Sequence, residues 1–314
     1  MKLKLHQVRT IWPGQPHAAF TGLTHSRGRW FCAFREGQTH MTLDGRIRVI
    51  TSVDGVAWES AAEFASASAP RPDLRDPKIV RAPDGDLLLL AAAAFRDGAG
   101  GSDHQSLIWR SADGVKWGDP TPISEEDRWV WGVGADDADL LAASYGTGGG
   151  LAHGVQLHRW PDFSPIATLC DDQQRPNETA VAVASGRAVA LIRRELRAPG
   201  STERHGSALL GTAAAPYTEW TFRDTGVSVG GPALIILPGG AVIAGGRKQA
   251  PQPHTSLWQA DLDTGELREL ITLPSAGDTS YPGMVWRDDR LWVSYYSSHE
   301  GPTSIYFAEL ELQP

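Results

Sequence analysis

The sequence predicts an all-β chain folded as a six-bladed β-propeller of four-stranded antiparallel blades. Three observations lead there: a tight turn between short apolar runs that recurs six times, a spacing of about 50 residues between copies, and a near absence of helical periodicity. The first copy is Ser26-Arg27-Gly28 followed by Trp30-Phe31-Cys32-Ala33-Phe34, and the second is Pro83-Asp84-Gly85 followed by Leu87-Leu88-Leu89-Leu90. Asp136-Asp137, Ser185-Gly186, Pro238-Gly239-Gly240 and Asp288-Asp289 mark the remaining four, each leading into a run such as Leu140-Leu141-Ala142-Ala143 or Leu291-Trp292-Val293. Turn residues of this kind between apolar runs are hairpin signals, because they tolerate the positive φ that tight turns demand. Six such units leave no room for a linker or a second domain, so residues 1–314 read as one propeller whose two chain ends share a blade.

Bulk composition narrows the function classes. Hydrophobic residues make up 41% and charged residues 21% of the 314, which is globular and enough for a sizeable core. A net charge of −8 disfavours nucleic acid or an anionic membrane as the main partner, and leaves a small molecule or oligosaccharide. Only two cysteines occur, Cys32 and Cys170; they make no disulfide framework and match no metal motif, and Cys32 reads as a buried thiol in its apolar run. The opening Met1-Lys2-Leu3-Lys4-Leu5 lacks the apolar core of a secretory signal, and the longest apolar run, residues 87–95, is strand-sized, so the expected location is cytoplasmic. No cofactor is implied, and nothing in the sequence sets an oligomeric state.

In a blade the innermost strand starts on one face of the disc, the turn lies on the other, and the second strand returns. Residues about eight before each turn and about seven after it therefore gather near the axis. The first set is His17, Asp76, Trp131, Glu178, Gly230-Gly231 and Tyr281. The second set contains Arg35, Arg193 and Arg247 at matched offsets, with Tyr145 and Tyr295 in similar positions and Arg194 next to Arg193. Guanidinium forks bind carboxylates bidentately, so three arginines at one address suit an anionic ligand. Trp131 offers a ring for stacking on a sugar face, and Arg75 and Lys78 flank Asp76, where they set its charge state. Glu36 reads as an orienting partner for Arg35, and His153 and His158 read as structural.

Two further segments, Ser52-Val53-Asp54-Gly55-Val56-Ala57-Trp58 and Ser111-Ala112-Asp113-Gly114-Val115-Lys116-Trp117, carry one motif, Ser-x-Asp-Gly-x-x-Trp. The Asp and Ser side chains bond the loop backbone, Gly supplies positive φ, and Trp packs between sheets. The motif resembles a shortened Asp-box, or BNR repeat, of the sialidase (neuraminidase) superfamily. The likeness extends over the whole chain: a Glu about sixteen residues before an Arg matches Glu178 with Arg193 or Arg194, a fifth-blade Arg matches Arg247, and the sixth-blade Tyr matches Tyr281. The resemblance implies a glycoside hydrolase acting on an anionic or polyhydroxylated sugar. Tyr281 would be the nucleophile with Glu178 as its base, and the acid/base would be His40, Asp44 or Asp76. The family's Arg-Ile-Pro signature is absent, the aligned stretch reading His17-Ala18-Ala19-Phe20, so this is a divergent member. Rival readings are a non-catalytic carbohydrate-binding propeller, a polysaccharide lyase, and a sugar lactonase holding Ca²⁺ through Asp76, Asn177 and Glu178.

Overall fold

In the computed structural model of the chain, which describes residues 1–13, 16–66, 72–96, 102–147, 154–196, 199–200 and 205–313, the strands form six four-stranded antiparallel sheets. The innermost strands of the first five are His17–Ser26, Asp73–Arg81, Arg128–Ala135, Pro176–Ala184 and Gly230–Ile236. The sixth sheet runs Thr279–Arg287, Arg290–Ser297 and Ser304–Gln313, and takes its outer strand, Lys2–Trp12, from the other end of the chain. That pairing, from Lys2 opposite Gln313 to Trp12 opposite Ile305, closes the ring. Neighbouring innermost strands touch all the way round the axis. Among the described residues the only helix is a three-residue 3₁₀ turn, Asp172–Gln174.

The turns form as their residues dictate. Arg27 and Gly28 (φ 52° and 74°), Ser185 and Gly186 (52° and 74°), and Asp288 and Asp289 (51° and 55°) are positive-φ pairs that match the twist of the strands they join. The runs that follow read as continuous apolar stretches because each sheet is covered on both faces by its neighbours, as Leu88, Leu89, Leu90, Ala91 and Ala92 show. Both Ser-x-Asp-Gly-x-x-Trp segments fold alike. Asp54 Oδ1 accepts from the Val56 and Ala57 amides, and Asp113 Oδ1 from those of Val115 and Lys116. Trp58 packs edge-on against Phe307 of the sixth blade, and Trp117 against Phe64 of the first, so each ring seals a blade junction. His158 is structural, bonded to Ser144 Oγ and the Phe163 carbonyl, whereas His153 lies outside the described residues.

Gly114 tests that junction. Its φ is +77°, and a Cβ there would stand 2.3 Å from Phe31 Cε1, on a buried ring. Gly28, at φ +74°, has nothing within 4 Å of the same atom. Gly114→Ala is therefore expected to cost about 2–4 kcal/mol from strain plus overpacking, and Gly28→Ala about 1 kcal/mol from strain alone, by urea unfolding.

Every innermost strand breaks its ladder near its start, between Ala19 and Gly22, Arg75 and Lys78, Val130 and Gly132, Pro176 and Thr179, Gly230 and Ala233, and Ser280 and Gly283. These bulges share one axial level. Pro77, Pro232 and Pro282, which cannot donate to a ladder, fall within three of them.

Candidate functional site

Bulges re-aim side chains, and here five of them carry Phe20, Asp76, Trp131, Glu178 and Tyr281, while the sixth presents the backbone of Gly231. Phe20, Asp76, Gly231 and Tyr281 adopt left-handed φ of 64°, 51°, 56° and 51°. Two of these, Phe20 and Tyr281, are bulky side chains in a region that disfavours them, a strain held by the surrounding sheet and typical of functional sites.

Tyr281 and Glu178 form the centre. The Tyr281 hydroxyl donates to Glu178 Oε1 at 2.5 Å, while Oε2 accepts from Arg193 Nη1 at 2.6 Å and from the Gly231 amide at 2.9 Å. Burial opposes ionisation of Glu178, but the Arg193 charge and the bonds from Tyr281 and Arg193 outweigh it and hold the carboxyl down at about 2. Burial pushes the Tyr281 phenol well above its usual value, and the charges of Glu178 and Asp76 push it further. Both directions leave the proton on the Tyr281 phenol, with the Glu178 carboxylate accepting it in a hydrogen bond. Arg193 also reaches Glu195 at 3.0 Å; Glu195 is bonded to His205 and to Asn177 Nδ2. Arg247 donates from Nη1 to the Thr279 carbonyl at 3.0 Å, and no carboxylate partners it among the described residues.

Beneath the pair, Asp76 Oδ2 accepts from Trp131 Nε1 at 3.2 Å, and its Oδ1 is buried without a partner. Burial raises the Asp76 pKa, partly offset by Arg75 and Lys78. The Lys78 ammonium sits 4.2 Å from the Trp131 ring centre and 5.4 Å from that of Tyr281, and burial pulls it down to about 8. Beside the pair, Phe20 touches Tyr281 and His40 at ring distances of 5.0 Å each, and Tyr296 packs on both Phe20 and Tyr281. His40 Nδ1 and His17 Nε2 both contact Asp278 Oδ2, at 2.8 and 2.9 Å, forming a rim above Phe20.

The structure brings together Tyr281, Glu178, Asp76, Arg193, Arg247, His17, His40 and Trp131. It places four other expected residues elsewhere. Arg35 is fully buried against Asp73, at 2.6 Å, and donates to the Thr39 and Thr42 carbonyls, so it braces the loop after the first hairpin and does not face a ligand. Its partner is Asp73, not Glu36, which instead takes Arg46, Arg48 and Trp12. Arg194 points away from the axis to Ser207, Gln174 and Asp224. Tyr295 packs on Tyr306 in a blade junction and donates to the Pro274 carbonyl; its neighbour Tyr296 takes the place beside Tyr281. Asp44 binds its own loop, through the Gln38 amide and Thr42, and lines a separate cleft with Glu36, Arg46 and Glu63. Trp131, at 1% exposure, is part of the floor and offers no open face for stacking.

Removing the Arg35 guanidinium leaves Asp73 buried with only the 3.2 Å contact from Arg75. Arg35→Met is expected to cost about 3–5 kcal/mol in urea unfolding, the penalty of breaking a buried ion pair, with ligand affinity of the surviving folded protein unchanged.

Phe20, Tyr296, Asp73 and Asp278 were not singled out from sequence. Phe20 satisfies the eight-residue offset from Gly28 better than His17 does, and that was its signal. Asp278 lies in a loop with no repeat equivalent, and only the fold brings it to His17 and His40.

No family model matches the chain, and no curated protein matches it by sequence. Solved structures do match. A protein of unknown function from Dyadobacter fermentans superposes with a TM-score of 0.80 at 18% identity, over 99% of this chain and 100% of that one. The fold is a sialidase-like six-bladed propeller. An α-L-arabinofuranosidase from Fusarium graminearum, solved with an iminosugar inhibitor, gives 0.74 at 11% identity over 98% of both chains. Trypanosoma rangeli sialidase bound to the inhibitor DANA gives 0.69 at 13% identity over 93% of this chain, which spans about half (55%) of that protein's length. At these identities the likeness is one of fold, shared with glycoside hydrolases of more than one specificity.

Proposed function

We propose that the chain is a glycoside hydrolase acting on an anionic or polyhydroxylated sugar, with Tyr281 as nucleophile and Glu178 as its base. The observation that carries this reading is the 2.5 Å bond from the Tyr281 hydroxyl to Glu178, backed by Arg193 at 2.6 Å. A phenol is a poor nucleophile until a base takes its proton, and a buried base at contact distance does so as the oxygen attacks. A tyrosine suits an anionic sugar because, unlike a carboxylate nucleophile, it is neutral before it attacks. Arg247, whose guanidinium is not ion-paired among the described residues, would receive the ligand's carboxylate or hydroxyls, and Arg193 would steady the negative charge of the pair. Asp76 is walled in beneath Trp131 and Asp44 is tied to its loop, so the leaving group's proton would come from the rim of His40, His17 and Asp278.

The test is a panel of aryl glycosides and free sugars, sialosides, uronides and arabinofuranosides included, read by turnover and thermal shift together. Turnover of one class supports the reading and names the substrate. Stabilisation by a sugar with no turnover of its glycosides would instead make the chain a carbohydrate-binding propeller. The metal-dependent lactonase reading loses support, because Glu178 Oε1 and Oε2 are already taken by Tyr281, Arg193 and Gly231.

A further inference from the structure

The rim cluster has a composition that proton transfer alone does not require. We propose that His17, His40 and Asp278 bind a divalent transition-metal ion of the zinc class, in a three-ligand site open at the solvent-facing rim. Asp278 Oδ2 lies 2.9 Å from His17 Nε2 and 2.8 Å from His40 Nδ1, and the three ligand atoms lie within 4.8 Å of one another. An ion bonded at about 2.0–2.2 Å to each ligand holds such atoms roughly 3.3 Å apart, so side-chain shifts of about an ångström close the site. Among the described residues no other group of three His, Cys, Asp or Glu meets this spacing.

The support around the ligands fits a metal site. Tyr296 donates to Asp278 Oδ1 at 3.1 Å, and the Asp278 amide is held by Ser298 Oγ at 2.9 Å, which orients the carboxylate from behind. His17 Nε2 is the ring nitrogen that faces Asp278. Ligand side-chain exposures of 8% for His17, 29% for Asp278 and 41% for His40 put the open coordination side at the solvent-facing rim. Two imidazoles with one carboxylate favour zinc over calcium or magnesium, which prefer all-oxygen shells. Three protein ligands leave at least one position for water or a ligand oxygen, and the Phe20 ring touches both His40 and Tyr281. Arginine charge nearby is engaged elsewhere: Arg75 is paired with Asp73 and lies over the Phe20 ring, and Arg247 binds the Thr279 carbonyl.

The proposal does not depend on the Tyr281–Glu178 pair; it displaces the rim side chains as proton donors, since a ring nitrogen or carboxylate oxygen held by an ion has no proton to give, and it is tested without activity. Untagged protein, stripped with chelator and desalted, is titrated with zinc chloride and, separately, calcium chloride by calorimetry, with folding followed by circular dichroism. One equivalent of zinc is expected to bind in the micromolar range or tighter and to raise the melting temperature, with no detectable calcium binding. His40→Ala, on the exposed rim, is expected to weaken zinc about tenfold or more, and Asp278→Asn to abolish the one-to-one site, while Tyr281→Phe leaves it intact. Failure of folded wild-type protein to bind one equivalent of zinc, or an affinity unchanged in both His40→Ala and Asp278→Asn, overturns the proposal. Loss of turnover in Tyr281→Phe with zinc binding preserved keeps the two claims separate.

Discussion

Tyr281→Phe is expected to lower turnover at least about a thousandfold on any glycoside the wild type cleaves, while sugar binding changes by less than about twofold. The ring stays, so its packing on Phe20, Trp131 and Tyr296 is conserved, and only the hydroxyl that bonds Glu178 is lost. An effect confined to kcat is what a group acting only in the transition state produces. Steady-state kinetics beside thermal shift with the same sugar separates this from a binding role; equal kcat in the variant would remove Tyr281 from the chemistry.

Glu178→Gln is expected to lower turnover by about 10²–10⁴, the usual worth of a positioned base. The amide is nearly isosteric, but it cannot accept the phenol proton, and it leaves Arg193 facing Glu195 alone. The variant also reports on stability against pH. Because the Glu178 pKa falls from its ordinary 4.5 to about 2 on folding, the carboxylate stabilises the fold fully above about 4.5, and that contribution is lost as pH falls toward 2. Urea midpoints between pH 6 and pH 3 are therefore expected to fall less steeply in Glu178→Gln than in the wild type. Identical slopes would show that the carboxyl titrates normally. For the same reason Glu178 is ionised across the working range, and an acid limb near 4.5 in the pH–rate profile would belong to another group.

The blades were legible in sequence because their turns are chemically demanding. Pairs such as Ser185-Gly186 and Asp288-Asp289 can adopt two successive positive φ values, and few others do so cheaply. Counting back from those turns reached Asp76, Glu178 and Tyr281, since the bulges of all six innermost strands lie at one level. Counting forward separated the arginines less well. Arg35 pairs with Ile47 in an unbroken ladder to the next strand, whereas Arg193 falls at a register shift between Ile192 and Arg194. Equal offsets from a turn thus conceal opposite directions, because one extra residue flips a side chain to the other face. The same one-residue sensitivity exchanges Tyr295 for Tyr296. Asp73 and Asp278 carry no periodic mark, and their roles exist only through partners 38 and 261 residues away in Arg35 and His17.

The most direct test of the central claim is peptide mass mapping of the enzyme quenched during turnover, or inactivated with a fluorinated glycosyl fluoride of the sugar class the panel identifies. The account expects one glycosyl mass added to the peptide carrying Tyr281, and none in Tyr281→Phe. A glycosyl adduct on Glu178, Asp76 or any other side chain, or rapid turnover with no adduct on Tyr281 under either treatment, would contradict it.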